Sequence, residues 1–259
     1  MSKTSQRWNG VLRSGEKLVW VMDKLLDELY PGVNFEDVEK KAVELIKETG
    51  GRAAFKDVPG YHHAVCLNVN EGVVHGVPRK YVIAEGDVVS LDVGLSYEGW
   101  VSDAAWTAVA GERSDGEKER FLAVGRGALR AGVARVVAGN RVGDITKAVE
   151  EQLNKGGVRA FSALTGHAVG RRLHELPNVP NVSGLFRDEE VVIKEGMTLA
   201  IEVIYTAGKD DLVRQSDGWT LVAADGKITA SFEVTCGAGV NGPQVLTPIK
   251  PWREMEGGF

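Results

Sequence analysis

Apolar side chains recur at intervals of three and four residues near the start of the chain. The pattern runs from about residue 11 to residue 30 and ends at Pro31-Gly32. Such spacing predicts an amphipathic helix. Three further helices are expected, from Asn34, which can act as an N-cap, to about residue 49, over residues 116–138 and over residues 142–155.

Runs of β-branched and aromatic residues, separated by turn signals, predict strands elsewhere. These strands are expected at residues 82–93, 100–110, 198–206, 219–223 and 227–236. The first two flank a Tyr97-Glu98-Gly99 turn, and the last two flank Asp225-Gly226, a pair typical of tight hairpins. No low-complexity linker separates the elements. The sequence therefore predicts one α+β domain over residues 1–259, with a short extension at 1–10 and a tail at about 240–259.

One segment of the sequence recurs later in the chain. Residues 83–93 align without gaps to residues 193–203, and both read I-x-E-G, five residues, a carboxylate and a valine. A turn followed by a strand can produce such a likeness by itself. A carboxylate inside an apolar strand is costly, however, so Asp92 and Glu202 favour two related halves that share a site.

Two aspartates lie on either side of the Tyr97-Glu98-Gly99 turn. Asp92 and Asp103 are expected to be opposite or nearly opposite each other in an antiparallel hairpin. Two like charges so close destabilise each other unless a proton or a cation lies between them, and a divalent metal satisfies both. Asp103 alone could instead be a turn or surface residue, but Asp92 lies in an apolar run.

Further candidate ligands occur in the second half of the chain. His167 and His174 lie in a glycine-flanked segment, GHAVGRRLHE, although their spacing does not define a metal site by itself. Glu202 lies in an apolar strand, whereas alternation alone would also allow Glu233 to face solvent. Four carboxylates with imidazole suit a two-metal site for Mn, Fe, Co or Zn. Two such ions can bridge a hydroxide, lower its pKa and clamp a tetrahedral intermediate.

The charge and the cysteine content indicate which partners and which cell compartment to expect. The net charge is −5, with 31 basic and 36 acidic residues interspersed, which gives no indication of nucleic-acid or membrane binding. Cys66 and Cys236 are far apart and in no CxxC motif, and no apolar leader follows Met1. We expect a cytoplasmic monomer, and the composition leaves ribosome association open.

Residues 70–78, NEGVVHGVP, resemble the N-E-x-V-x-H-G-I-P signature of type I methionine aminopeptidases. The segments SLDVGLSYEGWVSDAAWT, TGHAVGRRLHELP, EGMTLAIEV and DGWTLVAADGKITASFEVT follow in the order and approximate spacing of that family. The resemblance extends from the first helix to about Gly239. It implies the pita-bread fold, with two pseudo-symmetric halves around a dinuclear metal site, and hydrolysis of the N-terminal methionine of nascent proteins through a metal-bridging hydroxide.

The resemblance also implies a role for each candidate residue. The metal ligands would be Asp92, Asp103, His167, Glu202 and Glu233. Asp103 and Glu233 would bridge two divalent ions (Co, Mn, Fe or Zn), and Glu202 would also shuttle the proton. His75 and His174 would hydrogen-bond the scissile amide and its tetrahedral centre. The methionine pocket would be lined by Tyr61, Cys66, Leu173 and Trp219, and an aromatic and thiol lining suits a thioether.

The chain departs from the family pattern at Ala168, Leu173 and Val234, where a glycine, an aromatic residue and a histidine are usual. His62 and His63 have no counterpart that the resemblance assigns. Two alternatives stay open. A proline-specific aminopeptidase of the same fold usually carries a large extra N-terminal domain, for which the residues before His75 leave little room. A non-catalytic binding protein on this fold typically loses metal ligands, all of which are present here.

Overall fold

Four of the five described helices occur in two consecutive pairs, one pair in each half of the chain, and a short fifth helix follows near the end. The computed structural model describes residues 3–111 and 116–256. Its helices are α1 (Lys3–Leu26), α2 (Phe35–Glu48), α3 (Gly116–Val133), α4 (Val142–Lys155) and α5 (Lys250–Glu256). Short 3-10 turns occur at Ala54–Asp57 and Arg187–Glu190. Asn34 is the N-cap of α2, as predicted, and its side chain accepts the N–H of Glu36 at 3.0 Å.

The strands form one large sheet and one small sheet. They are β1 (Arg52–Ala53), β2 (Cys66–Val69), β3 (Gly72–Val74), β4 (Val88–Tyr97), β5 (Trp100–Val109), β6 (Arg159–Ala160), β7 (Thr165–Ala168), β8 (Glu175–Pro180), β9 (Thr198–Thr206), β10 (Leu212–Arg214), β11 (Leu221–Ala223), β12 (Thr229–Gly239) and β13 (Gly242–Val245). The large sheet has the order β1-β4-β5-β12-β9-β7-β8, with β2 paired to β4, β6 to β9 and β13 to β12. The small sheet has the order β10-β11-β3.

In the central strands β4, β5, β12 and β9, successive side chains point to opposite faces of the large sheet. One face presents apolar side chains to the main core, in which α1 packs on β4 and β5 and α3 packs on β9 and β12. Strand alternation turns the carboxylates at 92, 103, 202 and 233 to the opposite face. The fold is therefore a helical layer on one side of a sheet and a polar site on the other.

The two halves repeat the same backbone contacts, which confirms the internal repeat. An isolated bridge joins Asn34 to Val82 in the first half and Arg141 to Val192 in the second. Correspondingly, Gly86 donates to the carbonyl of Ala110, and Gly196 donates to that of Ala238, each at 2.8 Å. Both glycines have positive φ, 83° and 79°, which the turn before each inner strand requires.

The β4–β5 hairpin turns at the last two residues of the predicted Tyr97-Glu98-Gly99 segment. Glu98 and Gly99 have φ of 50° and 72° and form a two-residue turn that pairs Tyr97 with Trp100. Asp92 is consequently opposite Ala105, and Asp103 is opposite Gly94. The two aspartates are therefore diagonal neighbours on one face and not direct partners. Strand β4 begins later than the predicted strand at 82–93, because residues 82–87 form the turn that precedes it.

The hairpin predicted across Asp225-Gly226 is wrong. The residues do form a turn, in which Gly226 donates to the carbonyl of Ala223 at 3.1 Å. However, β11 pairs with β10 and β3, whereas β12 pairs with β5, β9 and β13 of the large sheet. The turn therefore leads the chain from one sheet into the other.

Regular structure extends further into both ends of the chain than predicted. Residues 3–10, expected as an extension, belong to α1, where Trp8 packs against Gly237 of β12. After Gly239, β13 pairs with β12, and α5 buries Trp252. Conversely, α1 ends at Leu26 and α3 at Val133, before the predicted limits of 30 and 138. Among the described residues, no helix is both long and apolar enough to span a bilayer.

Candidate active site

A cavity of about 330 Å³ opens on the polar face of the large sheet. All the site residues predicted from the sequence line it together: Tyr61, Cys66, His75, Asp92, Asp103, His167, Leu173, His174, Glu202, Trp219 and Glu233. One part of the cavity is bounded by carboxylates and imidazoles, and another part by apolar and aromatic side chains. Such a cavity can hold a polar reacting group and an apolar side chain at the same time.

The four carboxylates form a row across four neighbouring strands. The strand order places Asp92 on β4, Asp103 on β5, Glu233 on β12 and Glu202 on β9. Glu202 and Glu233 are direct cross-strand partners. Asp103 and Glu233 therefore occupy the middle of the row, between Asp92 on one side and Glu202 on the other.

The carboxyl groups of the row have no matching positive charge around them, and the two in the middle are buried. The exposed fractions of Asp103 and Glu233 are 3% and 2%. One oxygen of each of Asp92, Asp103 and Glu233 is buried without a hydrogen-bond partner. Of the described residues that line the cavity, none is a lysine or an arginine. Bare buried carboxylates are costly, and this donor set fits divalent cations.

The pKa values of the four carboxyl groups are all raised. Burial, and then the nearby carboxylates, raise the pKa of Asp92 and of Glu233 well above the ordinary range. Burial raises the pKa of Asp103 to about 7, and burial together with the charge of Asp103 raises that of Glu202 to about 8. Without a cation, the row would retain protons near neutral pH.

His167 projects from β7 beside this row. Its Nδ1 lies 3.1 Å from the carbonyl oxygen of Ala168, which can only accept, so Nδ1 carries the proton. Its Nε2 lies 3.8 Å from Oδ2 of Asp103, and potential ligand atoms of Asp103, His167 and Glu233 all lie within 4.8 Å of one another. Burial lowers the pKa of His167 to about 4, so the ring is neutral and its Nε2 can ligate a metal.

His75 and His174 line the cavity outside this ligand cluster. The ring of His174 packs edge-on against His167, with 4.5 Å between ring centroids. The side chains of His75 and His174 line the cavity and are exposed to solvent. Desolvation in the cavity lowers the pKa of both histidines, and the neighbouring His174 and Arg214 lower that of His75 further. Two neutral imidazoles, each with one N–H to donate, therefore border the site.

The backbone at His75 is unusual. Its φ is 57°, in the left-handed region, where non-glycine residues are uncommon. Gly76 follows it, and a Cβ there would lie 2.0 Å from the carbonyl oxygen of Leu67. The tight approach of this segment to β2 holds the His75 ring at the cavity, and strained backbone of this kind is often found at functional sites.

The apolar part of the cavity is built around Tyr61. Its hydroxyl donates to the carbonyl of Val65 at 2.8 Å, and its ring contacts Trp219 edge-on at 5.1 Å. Cys66 and Leu173 complete the predicted set. Sequence reasoning missed Phe55 and Val58, which also line the cavity. Phe55 lies against Gly94, where a Cβ would lie 2.7 Å from Phe55 and 3.1 Å from Leu173.

Thr235 is another residue that the sequence did not single out. Its hydroxyl accepts the N–H of Asp103 at 3.0 Å and donates to the carbonyl of Asp103 at 2.8 Å. It thereby fixes the backbone of β5 against β12 where Asp103 meets Glu233. Val234, between Glu233 and Thr235, faces the main core and is fully buried.

The remaining departures lie around the cavity. Ala168 is buried and accepts from His167 through its carbonyl, which does not depend on its side chain. His62 and His63 line a neighbouring cavity of about 230 Å³ that shares Tyr61 and Trp219 with the main one. Neither histidine is among the residues that line the main cavity.

Comparison with known proteins agrees with this geometry. The model of "Metallopeptidase family M24" matches residues 10–241. The methionine aminopeptidase of Aquifex aeolicus is 36% identical over 254 residues, covering 95% of this chain and 98% of that protein. That of Clostridium perfringens is 33% identical, covering 92% and 94%.

Solved structures show the same fold. The methionine aminopeptidase of Thermotoga maritima superposes with a TM-score of 0.89 at 36% identity, covering 93% of this chain and 96% of that one. Prolidase from Pyrococcus furiosus has a TM-score of 0.75 at 21% identity, and this chain covers 64% of it, which shows likeness of fold alone. The chain therefore belongs to metallopeptidase family M24, and within it to the methionine aminopeptidases.

Proposed function

We propose that this protein hydrolyses the peptide bond after an N-terminal methionine, acting on nascent proteins and peptides. The observation that carries the proposal is the row of four carboxylates, the middle two of them buried, in a cavity whose apolar part contains Tyr61 and Trp219. The identity of the relatives supports the same substrate. The proline-specific alternative has support only at the level of fold.

Divalent metal is the cofactor, and we propose that two ions bind. The order of the row favours Asp103 and Glu233 as bridging ligands, because they occupy its middle. Asp92 would complete one site, and His167 with Glu202 would complete the other. Carboxylate oxygens with one imidazole suit Co, Mn, Fe or Zn. Bound ions of this kind supply a Lewis acid for the scissile carbonyl and lower the pKa of water.

The side chains around the row would then orient the substrate and move the proton. His75 and His174 are neutral donors, and they would hydrogen-bond the scissile amide and the oxygen that becomes negative in the tetrahedral state. Glu202 would accept the proton of the attacking water at its carboxylate and pass it to the leaving amine.

The apolar part of the cavity would select the first residue. Tyr61, Leu173 and Trp219 provide ring and aliphatic surface for a flexible thioether, and the Cys66 sulfur is similarly polarizable. A charged first side chain would have to be desolvated there without a partner. We expect the second residue to be small, because the same cavity must also hold the scissile bond.

The test is hydrolysis of matched peptides by the metal-loaded protein. A Met-Ala-Ser peptide should release methionine, whereas Leu-Ala-Ser, Lys-Ala-Ser and an Ala-Pro peptide should be cleaved far more slowly. Comparable turnover of the Leu, Lys and Met peptides would contradict the proposed specificity. Preference for the Ala-Pro peptide would favour the proline-specific alternative, and binding without turnover of any peptide would favour a non-catalytic role.

We also propose that the whole chain acts as one catalytic domain, since strands from both halves join in the large sheet. The monomeric state and the cytoplasmic location stay predictions. Sedimentation velocity of the purified protein tests the former.

A further inference from the structure

The loop that carries Leu173 and His174 runs from residue 169 to residue 174, between β7 and β8. It brings both side chains to the cavity but belongs to neither strand. Inside the loop, Gly170 donates to the carbonyl of Arg172 at 3.2 Å and accepts from Val101 at 2.7 Å. The position of His174 therefore depends on how this irregular segment is held.

Arg7 of α1 reaches this loop with three nitrogen atoms of its guanidinium group. Nη2 donates to the carbonyl of Val169 at 2.7 Å, Nη1 donates to Oε2 of Glu175 at 2.9 Å, and Nε donates to the hydroxyl of Thr198 at 2.8 Å. The group thereby joins both ends of the loop to the first residue of β9. A Cβ at Gly170 would lie 2.8 Å from Cζ of Arg7, so the loop has room for the guanidinium because that residue is glycine.

Glu175 connects Arg7 to the backbone of Arg171 and Arg172, which precede His174 in the loop. Its Oε1 accepts the N–H of Arg171 at 2.7 Å and that of Arg172 at 3.0 Å, while its Oε2 binds Arg7. Burial alone would raise the pKa of Glu175, but the N–H of Arg172 and the charge of Arg7 hold it below the ordinary value. The carboxylate is therefore ionised at neutral pH and bound through both oxygens.

We propose that Arg7 is a positioning residue of the active site, which acts through Glu175 to hold the loop that presents His174 to the substrate. Arg7 does not line the cavity, so its effect on the reaction is indirect. The inference rests on the proposed function, because it assumes that His174 contacts the substrate. It assigns a role to residues 3–10 that their sequence did not suggest.

The same helix offers a matched control. Arg13 pairs with Glu98 at 2.9 Å and links α1 to the β4–β5 turn, but its side chain is 48% exposed and that of Glu98 is 55% exposed. The corresponding values for Arg7 and Glu175 are 28% and 21%. Both pairs join α1 to the large sheet with opposite charges, but only Arg7 hydrogen-bonds the ends of the loop of His174 directly. The turn held by Arg13 touches the loop at one point, where the carbonyl of Gly99 accepts from Arg171 at 3.1 Å.

The first measurement compares Arg7→Met, Arg7→Lys and Arg13→Met in the metal-loaded protein. In Arg7→Met, kcat for Met-Ala-Ser should fall about tenfold or more, as expected when a catalytic group is slightly misplaced. KM should change little, and metal content should stay at the wild-type value. Arg7→Lys should recover only part of kcat, because a lysine cannot reproduce the planar fork. Arg13→Met should keep kcat within about twofold, as for an exposed ion pair.

A double-mutant cycle shows whether the effect passes through His174. Introduced into His174→Ala, Arg7→Met should lower kcat no further, since there is no imidazole left to position. In hydrogen exchange, the amides of Arg171 and Arg172 should exchange faster in Arg7→Met and as in wild type in Arg13→Met. If Arg7→Met folds poorly, Glu175→Gln tests the same path, because it keeps an oxygen acceptor but lacks the charge.

Wild-type kcat in both Arg7→Met and Glu175→Gln would overturn the inference. An equal loss of kcat from Arg7→Met with and without His174 would also overturn it, because the effect would then be general. A wild-type protein that releases no methionine contradicts the proposed function itself. That outcome differs from an active wild-type enzyme in which Arg7→Met keeps its kcat, which would contradict only the role of Arg7.

Discussion

Replacing His75 with alanine separates metal binding from catalysis. His75 lines the cavity but is not part of the Asp103, His167 and Glu233 cluster, so the variant should retain its metal. What it loses is one neutral N–H donor in a partly enclosed site. Removing one such donor to a developing oxyanion typically costs about 2.7–4 kcal/mol, or about a hundredfold to a thousandfold in kcat. The loss should fall mainly on kcat because the hydrogen bond strengthens in the transition state.

The backbone at His75 requires a second variant. His75 already has this left-handed backbone, with φ of 57°, and histidine and asparagine occur there more often than alanine. The change to alanine should therefore cost at most about 1 kcal/mol relative to wild type. For a chain of this size, that cost lowers the Tm by about 2–4 °C. Asparagine tolerates this conformation better, so His75→Asn should keep the wild-type Tm and still show the loss of kcat.

The assay measures metal stoichiometry, Tm and kcat for Met-Ala-Ser on the same preparation of each variant. The alternative is that His75 is a structural residue in the turn before Gly76. In that case, His75→Ala would lose metal and several further degrees of Tm, with no specific effect on the rate. A variant that keeps its metal and most of its kcat would refute the reasoning.

Three further results are expected. Asp103→Asn should lose metal and turnover together, because it removes a charge from the middle of the row, and a variant that retains full metal content would contradict the bridging role. In metal-free protein, the raised pKa values of Asp103 (about 7) and Glu202 (about 8) mean that the folded state holds protons the unfolded state has released. The Tm of the metal-free protein should therefore fall as the pH rises from about 6.5 to about 8. This window lies above the range in which His167 titrates. A Tm that rises in this window would contradict the pKa assignment. Gly94→Ala should raise KM for Met-Ala-Ser, since the added methyl would lie 2.7 Å from Phe55 and would displace this side chain of the cavity. An unchanged KM would show that Phe55 does not contact the substrate.

Much of the fold follows from periodicity. The helix α4 has the predicted limits, and α2 begins after its predicted cap at Asn34. The turn at Asp225-Gly226 is present as predicted, but a local signal cannot show that β12 already has partners on both sides in the large sheet. The predicted first helix starts too late because residues 4–7 are polar, and the contacts of this segment are with distant parts of the chain.

The site is predicted best where burial conflicts with charge. Asp92 and Glu202 are carboxylates in apolar strands, and this conflict by itself indicates a shared cation site. Phe55, Thr235 and Arg7 were missed because each is ordinary in its own segment. Their contacts span long stretches of sequence, as between Arg7 and Glu175, so only the folded chain brings them together.

The central claim is that the protein removes N-terminal methionine with the help of divalent metal bound by the carboxylate row. Its most direct test is to treat the purified protein with a chelator and follow methionine release from Met-Ala-Ser by mass spectrometry, before and after Mn²⁺ is restored. Release should stop in the metal-free protein and return with the metal, and the metal should bind more weakly at acid pH because the carboxylates must be ionised. Full methionine release by protein shown to be free of metal would contradict the account.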